Sequence, residues 1–139
     1  MKIFEPDATY LNPEEYSIFA FIEMIRKGVT FSAFSGFAKR IPFTMQEWAS
    51  FLHISERTLQ RYQQDKRRFD ALQSEKIIEI ALFYKKGIQV LGSKENLNTW
   101  LDTTNLVLGK VKPKDLLDSS FGIRLLQDEL TRLEHGILA

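Results

Sequence analysis

The sequence has no cysteine, no long apolar run and almost no net charge, at +1 over 139 residues. Without cysteine, a disulfide framework, a thiolate zinc site and a cysteine nucleophile are excluded, and a reducing compartment is the consistent setting. No uninterrupted apolar segment approaches the roughly 18 residues of a membrane helix. The acidic Glu5 and Asp7 stand where a signal peptide would need its apolar core. We therefore expect a soluble, cytoplasmic protein with no membrane partner.

The composition is that of a globular protein. Apolar residues make up 44% and charged residues 27% of the chain, which is unlike disordered or fibrous sequences. A chain of this length buries roughly two thirds of the surface that its unfolded form exposes, so it folds without disulfides or metal. Its size fits one compact domain or two very small ones.

The positive charge is concentrated in one block. Residues 39–68 carry seven basic and three acidic side chains, a net charge of +4, whereas the segments on either side are neutral or slightly acidic. Such a block is either a solvated face or the footprint of phosphate binding. The other residues of the block separate these two interpretations.

The start of the chain is predicted to be helical. A first helix should begin at Asn12–Glu15, where asparagine accepts from free amides and the carboxylates favour the positive dipole end. It should end at Gly28, and its apolar residues lie on more than one face, which predicts a core helix. These residues are Tyr16, Ile18, Phe19, Ile22 and Ile25. A second helical segment, Phe31–Ile41, stops before Pro42, and its phenylalanines are interpreted as packing residues.

A helix-turn-helix unit is predicted from Thr44 onwards. Thr44 and Glu47 form a capping box, in which each side chain accepts a hydrogen bond from the backbone amide of the other. A second helix begins at Ser55, and the short link Leu52–Ile54 forces the two helices to cross steeply. His53 holds a turn position that is often glycine, and histidine tolerates the left-handed conformation better than most residues. The expected internal contacts are Trp48, Ala49, Leu52, Ile54, Leu59 and Tyr62.

The outer face of that second helix carries the candidate DNA-binding residues. Its amino-terminal part is the part that enters a DNA major groove, where arginine pairs with guanine and glutamine with adenine. A serine and the first-turn amides can hold a phosphate, and the basic residues after the helix would neutralise further phosphates. The candidates are Ser55, Glu56, Arg57, Gln60, Arg61, Lys66, Arg67 and Arg68. The alternative is a packed helical corner with exposed charge, reused for dimerisation.

The second half is also predicted to be helical. Serines should cap helices at Ser74 and Ser93, and Gly92 should end the first of them. An irregular loop spans residues 103–111, and Pro113 opens a short helix. The last helix begins at Asp118–Ser120, with an apolar stripe that packs in a core or against another chain. This stripe consists of Ile123, Leu126, Leu130, Leu133 and Ile137.

No motif of the sequence points to catalysis. His53 and His135 have no metal-ligand spacing and belong to no motif with serine and aspartate. Gly109–Lys110 lacks the earlier glycine of a phosphate loop. Adjacent carboxylates on helices diverge, so they are interpreted as solvated charge. We expect a protein that is not an enzyme and needs no cofactor or metal.

Several short motifs of the second half recur in one known family. They are Trp100–Leu101, Asn105–Gly109, Lys112–Leu117, Phe121–Gly122 and Arg132–Gly136, preceded by the recognition segment Ile54–Arg61. In order and spacing they resemble the Xre/MbcA/ParS-type antitoxins, from about residue 13 to 139. Leu106 replaces the proline that the family usually has after the loop asparagine.

Together with the helical pattern, this resemblance predicts an all-α protein. An amino-terminal helix-turn-helix bundle is followed by a small helical toxin-binding domain. The expected boundaries are a mobile amino terminus over residues 1–11, a DNA-binding and dimerisation domain over 12–72, and the toxin-binding domain over 73–139.

The resemblance implies the antitoxin of a type II toxin–antitoxin system. One partner would be a RES-domain toxin that consumes NAD, and the antitoxin would cover the active site of this toxin. The other partner would be operator DNA of the antitoxin's own operon. A homodimer and a larger toxin–antitoxin hetero-oligomer are expected. The alternative is a stand-alone dimeric helix-turn-helix repressor, whose second domain dimerises or senses a ligand.

Eight positions match the family's toxin-binding domain. They are Trp100, Gly109, Pro113, Leu117, Gly122, Glu134, His135 and Gly136. The tryptophan, the leucine and the internal glycines are interpreted mainly as fold determinants, because aromatic packing and positive backbone dihedrals explain them without a partner. The polar ending Glu134–Gly136 contributes little to a core and is free to reach a partner's cleft.

Overall fold

Residues 17–138, with side chains up to residue 136, are described by a computed structural model. Within this range the chain forms seven α-helices and one 3₁₀ turn, so the prediction of an all-α protein is confirmed. The helices are α1 Ile18–Lys27, α2 Phe31–Ala38, α3 Met45–Leu52, α4 Glu56–Asp65, α5 Ala71–Leu91, α6 Lys94–Leu101 and α7 Ser120–Leu138, and the 3₁₀ turn is Pro113–Leu116. The predicted helix start at Asn12–Glu15 and the predicted mobile segment 1–11 lie outside the described residues.

The chain divides into two compact units, one ending at Ala81 and the other beginning at Leu82. The division falls within α5, which is one uninterrupted helix. We call the two parts the first unit and the second unit. The boundary expected after residue 72, close to the start of α5, stays a prediction.

The start of α5 corrects one prediction. Ser74 is not its cap, because the helix begins one turn earlier, after Asp70. Asp70 Oδ1 accepts from the Gln73 amide at 2.7 Å, and Gln73 Oε1 accepts from the Asp70 amide at 3.0 Å. This reciprocal pair satisfies amides that a helix start leaves free. Ser74 is fully buried instead and makes a tertiary contact described below.

The core of the first unit is an aromatic cluster around Trp48. Trp48 is 3% exposed and meets Phe34 and Phe37 at ring-centroid distances of 5.1 and 5.9 Å, both edge to face. Phe51 approaches the same ring at 5.9 Å. Edge-to-face contacts between aromatic rings add to the energy of burying their area. The interpretation of the phenylalanines of α2 as packing residues is confirmed.

The core of the second unit is aliphatic and closely packed at two glycines. Leu97, Leu126 and Leu130 are fully buried. A Cβ atom on Gly87 would lie 2.6 Å from Leu97 Cδ1, and one on Gly122 would lie 1.9 Å from the Leu116 carbonyl oxygen. The 3₁₀ turn packs against both α6 and α7. Glycine therefore sets how closely these elements approach.

Helix α1 differs from its prediction as a core helix. None of its residues is buried, and Ile18 and Phe19 are 68% and 74% exposed. Apolar residues on more than one face describe the composition of a helix. They do not show how many other elements pack against it. The predicted core position of α1 is therefore wrong for the described part of the chain.

Candidate functional site

The helix-turn-helix unit has the local geometry that the sequence predicts. The Thr44 amide donates to Glu47 Oε1 and the Glu47 amide donates to Thr44 Oγ1, each at 3.0 Å, which completes the capping box. Helix α3 ends at His53, whose backbone is left-handed at φ 59° and ψ 38°. His53 begins the three-residue link, residues 53–55, that leads into α4, and α4 packs against α3.

One face of α4 is buried and the other is exposed and polar. Leu59 is fully buried and Tyr62 nearly so, and both fix the helix on the first unit. The candidate base-reading residues, Arg57, Gln60 and Arg61, are all exposed. The structure thus brings these three side chains together on the outside of α4.

Ser55 has a structural task at the start of α4. Its Oγ accepts from the Thr58 amide at 3.0 Å and donates to Thr58 Oγ1 at 2.8 Å. The side chain is therefore engaged as the helix cap. Glu56 and Arg57, in the first turn of α4, are exposed residues.

The three basic residues after α4 have different surroundings. Lys66 ends the helix in the left-handed conformation with φ 51° and is exposed. The Arg67 guanidinium lies 4.8 Å from the centre of the Tyr62 ring, a distance at which cation and ring attract. Arg68 Nη1 donates to the Gly28 carbonyl at 2.9 Å. Arg68 is thus tied to the backbone after α1.

A second group of hydrogen bonds holds the same junction. The Phe69 amide donates to the Val29 carbonyl at 2.9 Å, and the buried Val29 amide donates to Ser74 Oγ at 2.8 Å. Gly28 has φ 88°, and a Cβ there would lie 2.3 Å from the Phe69 carbonyl oxygen. These contacts join the segments that follow α1 and α4 to the first turn of α5. They fix where the carboxyl end of α4 lies.

In the second unit, several of the predicted binding positions are buried or closely packed. Leu117 is fully buried, Pro113 is buried in the 3₁₀ turn, and Gly122 lies against Leu116 as described above. Trp100 is half-buried. Gly109 has φ 93° with open space around it, so it serves the turn of its loop.

The remaining predicted positions lie together near the end of α7. Glu134, His135 and Gly136 are all exposed. The preceding turns are anchored, since Leu130 is fully buried and Lys86 Nζ donates to Thr131 Oγ1 at 2.7 Å. An anchored helix thus presents a short polar end.

Sequence reasoning did not find the ion-pair group at the base of the 103–111 loop. Asp102 accepts from Lys114 Nζ at 2.9 Å and from Lys112 Nζ at 3.2 Å. These hydrogen bonds, Lys114 first, lower the pKa of the Asp102 carboxyl from its usual value. Residues ten and twelve apart across a loop follow no helical or strand period, so only the fold reveals the group.

Tyr84 makes another polar contact that the sequence did not indicate, and this one is buried. Its hydroxyl donates to Asn98 Oδ1 at 2.6 Å and so links α5 to α6 within the second unit. Burial raises the pKa of Tyr84 to about 12. The phenol is protonated at neutral pH even with its usual pKa, and the raised pKa lets it keep donating in more alkaline solution.

The described residues contain neither a metal-binding cluster nor a membrane-spanning helix. No group of three or more histidine, cysteine, aspartate or glutamate side chains there is placed to hold a metal ion. Similarly, no helix of residues 17–138 is both long enough and apolar enough to cross a membrane.

The fold and the exposed faces define the class of protein: a helix-turn-helix protein with a second, helical binding unit. Comparison with protein families makes this specific. Residues 20–82 match the antitoxin Xre-like helix-turn-helix domain, and residues 86–136 match the antitoxin Xre/MbcA/ParS C-terminal toxin-binding domain. The two matches cover most of the chain, which therefore belongs to the Xre/MbcA/ParS antitoxins. This is a family of binding proteins and not of enzymes.

A solved structure shares the fold. One chain in the crystal structure of the M. tuberculosis MbcT–MbcA toxin–antitoxin complex is 22% identical, with a TM-score of 0.57. The similarity covers 75% of the present chain and 92% of that chain. No curated protein matches the sequence.

Proposed function

We propose that this antitoxin inhibits a RES-domain toxin that consumes NAD by covering the toxin's active site. The observation that carries the proposal is the toxin-binding family match over residues 86–136, nearly the whole second unit. The solved structure of similar fold comes from a toxin–antitoxin complex, which agrees with a protein toxin as the partner. The RES-domain class of that toxin follows from the motif resemblance.

The end of α7 is the part of the second unit best suited to enter a cleft. Glu134 and His135 are exposed and polar, and neither contributes to the core of the second unit. Trp100, half-buried, can add a contact at the same partner, because tryptophan combines a large apolar area with one donor. The buried Leu117, Pro113 and Gly122 support this surface from within.

We propose further that the first unit binds operator DNA and represses the operon. Arg57, Gln60 and Arg61 are exposed on α4, and arginine and glutamine are residue types that pair with base edges in a major groove. Lys66 and Arg67 follow at the end of the helix and would meet phosphates. A single helix-turn-helix unit rarely binds tightly, so a homodimer on two half-sites is expected.

The inhibition proposal is tested with the toxin's own reaction. The protein encoded by the adjacent gene is assayed for NAD consumption with an equal amount of this chain. The wild type should suppress the reaction, and the double variant Glu134→Ala/His135→Ala should suppress it at least about tenfold less well. Asp128→Ala, an exposed change earlier on the same helix, is the matched control and should inhibit like the wild type.

Two results would contradict this proposal. If the double variant inhibits as well as the wild type, the end of α7 does not cover the active site. If the wild type leaves NAD consumption untouched, the proposed class of toxin or the mode of inhibition is wrong.

The DNA proposal is tested by band shift on the promoter upstream of the gene. Arg57→Ala or Arg61→Ala should weaken binding by roughly 1–3 kcal/mol and relax the preference at one base pair. Gln46→Ala, an exposed change on α3, serves as the control. Unchanged affinity in both arginine variants would show that α4 does not read DNA and would favour the alternative, a packed helical corner with exposed charge.

A further inference from the structure

The loop between α6 and the 3₁₀ turn exposes two adjacent apolar side chains. Leu106 is 75% exposed and Val107 is 68% exposed. Isolated apolar residues on a surface need no explanation, but turn tips usually carry glycine, asparagine, aspartate or serine, for reasons of backbone geometry and hydrogen bonding. A leucine followed by a β-branched valine offers neither a special backbone geometry nor a side-chain hydrogen bond. We call these two residues the loop tip.

The loop tip is held in place and does not fray. Asn105 Oδ1 accepts from the Val107 amide at 2.9 Å and from the Leu108 amide at 3.3 Å. The backbone of Asn105 pairs with Val111 and Lys110 on the other side, each at 2.9 Å. This antiparallel bridge closes the loop directly beneath the tip.

The stems below the bridge are joined as well. Asp102 on the incoming stem binds Lys112 and Lys114 on the outgoing one. Gly109 and Lys110 take the positive φ angles, 93° and 63°, that return the chain. An apolar pair on a rigid loop is pre-ordered for binding, since little conformational freedom remains to be lost.

The surface area of the loop tip distinguishes two possible partners, a second copy of the chain and a different protein. A stable interface buries about 800 Å² on each side, and two side chains supply only a fraction of this area. This small area argues against a second copy of the chain held by this contact alone. A small rigid knob suits an apolar depression on a partner protein to which other parts of the second unit also bind, because those parts supply the remaining contact area. The loop tip lies inside residues 86–136, the toxin-binding domain.

We propose that Leu106 and Val107 anchor the toxin by inserting into an apolar depression on its surface. This contact is separate from the polar end of α7. It rests on the proposed function in one respect, namely that the second unit binds a toxin. The loop tip then supplies affinity, and the end of α7 supplies the inhibition.

The test measures the affinity of the full-length chain for the protein encoded by the adjacent gene. The double variant Leu106→Ser/Val107→Ser removes the knob, and because both side chains are exposed it should fold like the wild type, as checked by circular dichroism. We expect a Kd at least about tenfold higher, as for a lost interface anchor. Leu72→Ser is the matched control, since Leu72 is 79% exposed and lies in the first unit; it should bind like the wild type.

A third variant separates the contact from its support. Asn105→Ala keeps both apolar side chains but removes the acceptor for two amides, so binding should weaken by less than in the double variant. Restored affinity in Leu106→Met/Val107→Ile, which keeps the apolar character, would support insertion into a depression.

The outcomes distinguish this inference from the proposed function. If the wild type binds and the serine double variant binds equally well, the loop tip is not an anchor. If Leu72→Ser weakens binding to the same extent, the effect is unspecific and the inference fails. If the wild type does not bind the neighbouring protein, the proposed function itself falls. If the wild type dimerises in solution and the serine variant is a monomer, the occupant is a second copy and the proposal is overturned.

Discussion

The two units of this antitoxin differ in what they bury and in what they expose. The first unit buries aromatic rings around Trp48 and exposes a polar surface that carries two arginines of α4 and the three basic residues after this helix. The second unit buries leucines against closely approaching glycines and exposes an apolar loop tip and a polar helix end. A basic face suits a polyanion such as DNA, and an apolar knob suits another protein. This contrast agrees with the two proposed partners, operator DNA for the first unit and a protein toxin for the second.

The largest expected effect concerns the aromatic core of the first unit. Trp48→Ala removes the ring that Phe34, Phe37 and Phe51 all contact. We expect the free energy of unfolding to fall by about 3–5 kcal/mol, measured by chemical denaturation. Ser50→Ala, an exposed change on the same helix, should stay within about 0.5 kcal/mol of the wild type. A small loss in Trp48→Ala would show that the cluster is not the core of this unit.

The corresponding test in the second unit uses one of its glycines. A methyl group on Gly122 would lie 1.9 Å from the Leu116 carbonyl oxygen, so Gly122→Ala must push α7 away from the 3₁₀ turn. We expect a loss of about 2–4 kcal/mol in the free energy of unfolding. Gly136→Ala on the same helix has open space around it and should be neutral or slightly stabilising. Equal effects of the two changes would contradict the close approach.

A third test separates two roles among the basic residues after α4. Lys66→Gln removes an exposed charge, so the slope of log binding constant against log salt for operator DNA should fall by about 0.9. Arg68→Gln removes the donor to the Gly28 carbonyl. It should leave the salt slope unchanged and lower the free energy of unfolding by about 1 kcal/mol. An equal fall in slope for both variants would make Arg68 a phosphate contact.

The smallest expected effect concerns the ion-pair group at the loop base. The pKa of Asp102 is lowered in the folded chain, so its contribution is present above the usual carboxyl range and is lost as the pH falls towards the folded pKa. Asp102→Asn should therefore lower Tm slightly at pH 7, and the difference from the wild type should vanish in acid. A difference that stays the same from pH 7 to pH 3 would show that the charge of Asp102 is not its cause.

The elements that the sequence predicted well are those with local signals. The Thr44–Glu47 capping box, the caps at Ser55 and Ser93 and the glycine end of α5 each depend on residues a few positions apart. Helix start and turn chemistry act at that range, so a single sequence carries them.

The features that the sequence missed depend on distant parts of the chain. Ser74 looked like a cap because its type suits one, but its hydroxyl is needed by the Val29 amide, 45 positions away. The exposure of Leu106 depends on the contacts that fix the loop, and no pattern in the sequence indicates these contacts. Similarly, the apolar residues of α1 indicate the character of that helix but not its surroundings.

Co-expression with the adjacent gene tests most directly whether this chain neutralises a toxin. The adjacent gene is expressed alone and together with this chain, growth is followed, and one of the two proteins is purified by an affinity tag. If this chain neutralises the neighbour's toxin, we expect growth arrest by the neighbour alone, normal growth with both, and a stable complex in the purified fraction. A harmless neighbour that does not co-purify would contradict it, and the chain would then be a stand-alone helix-turn-helix repressor.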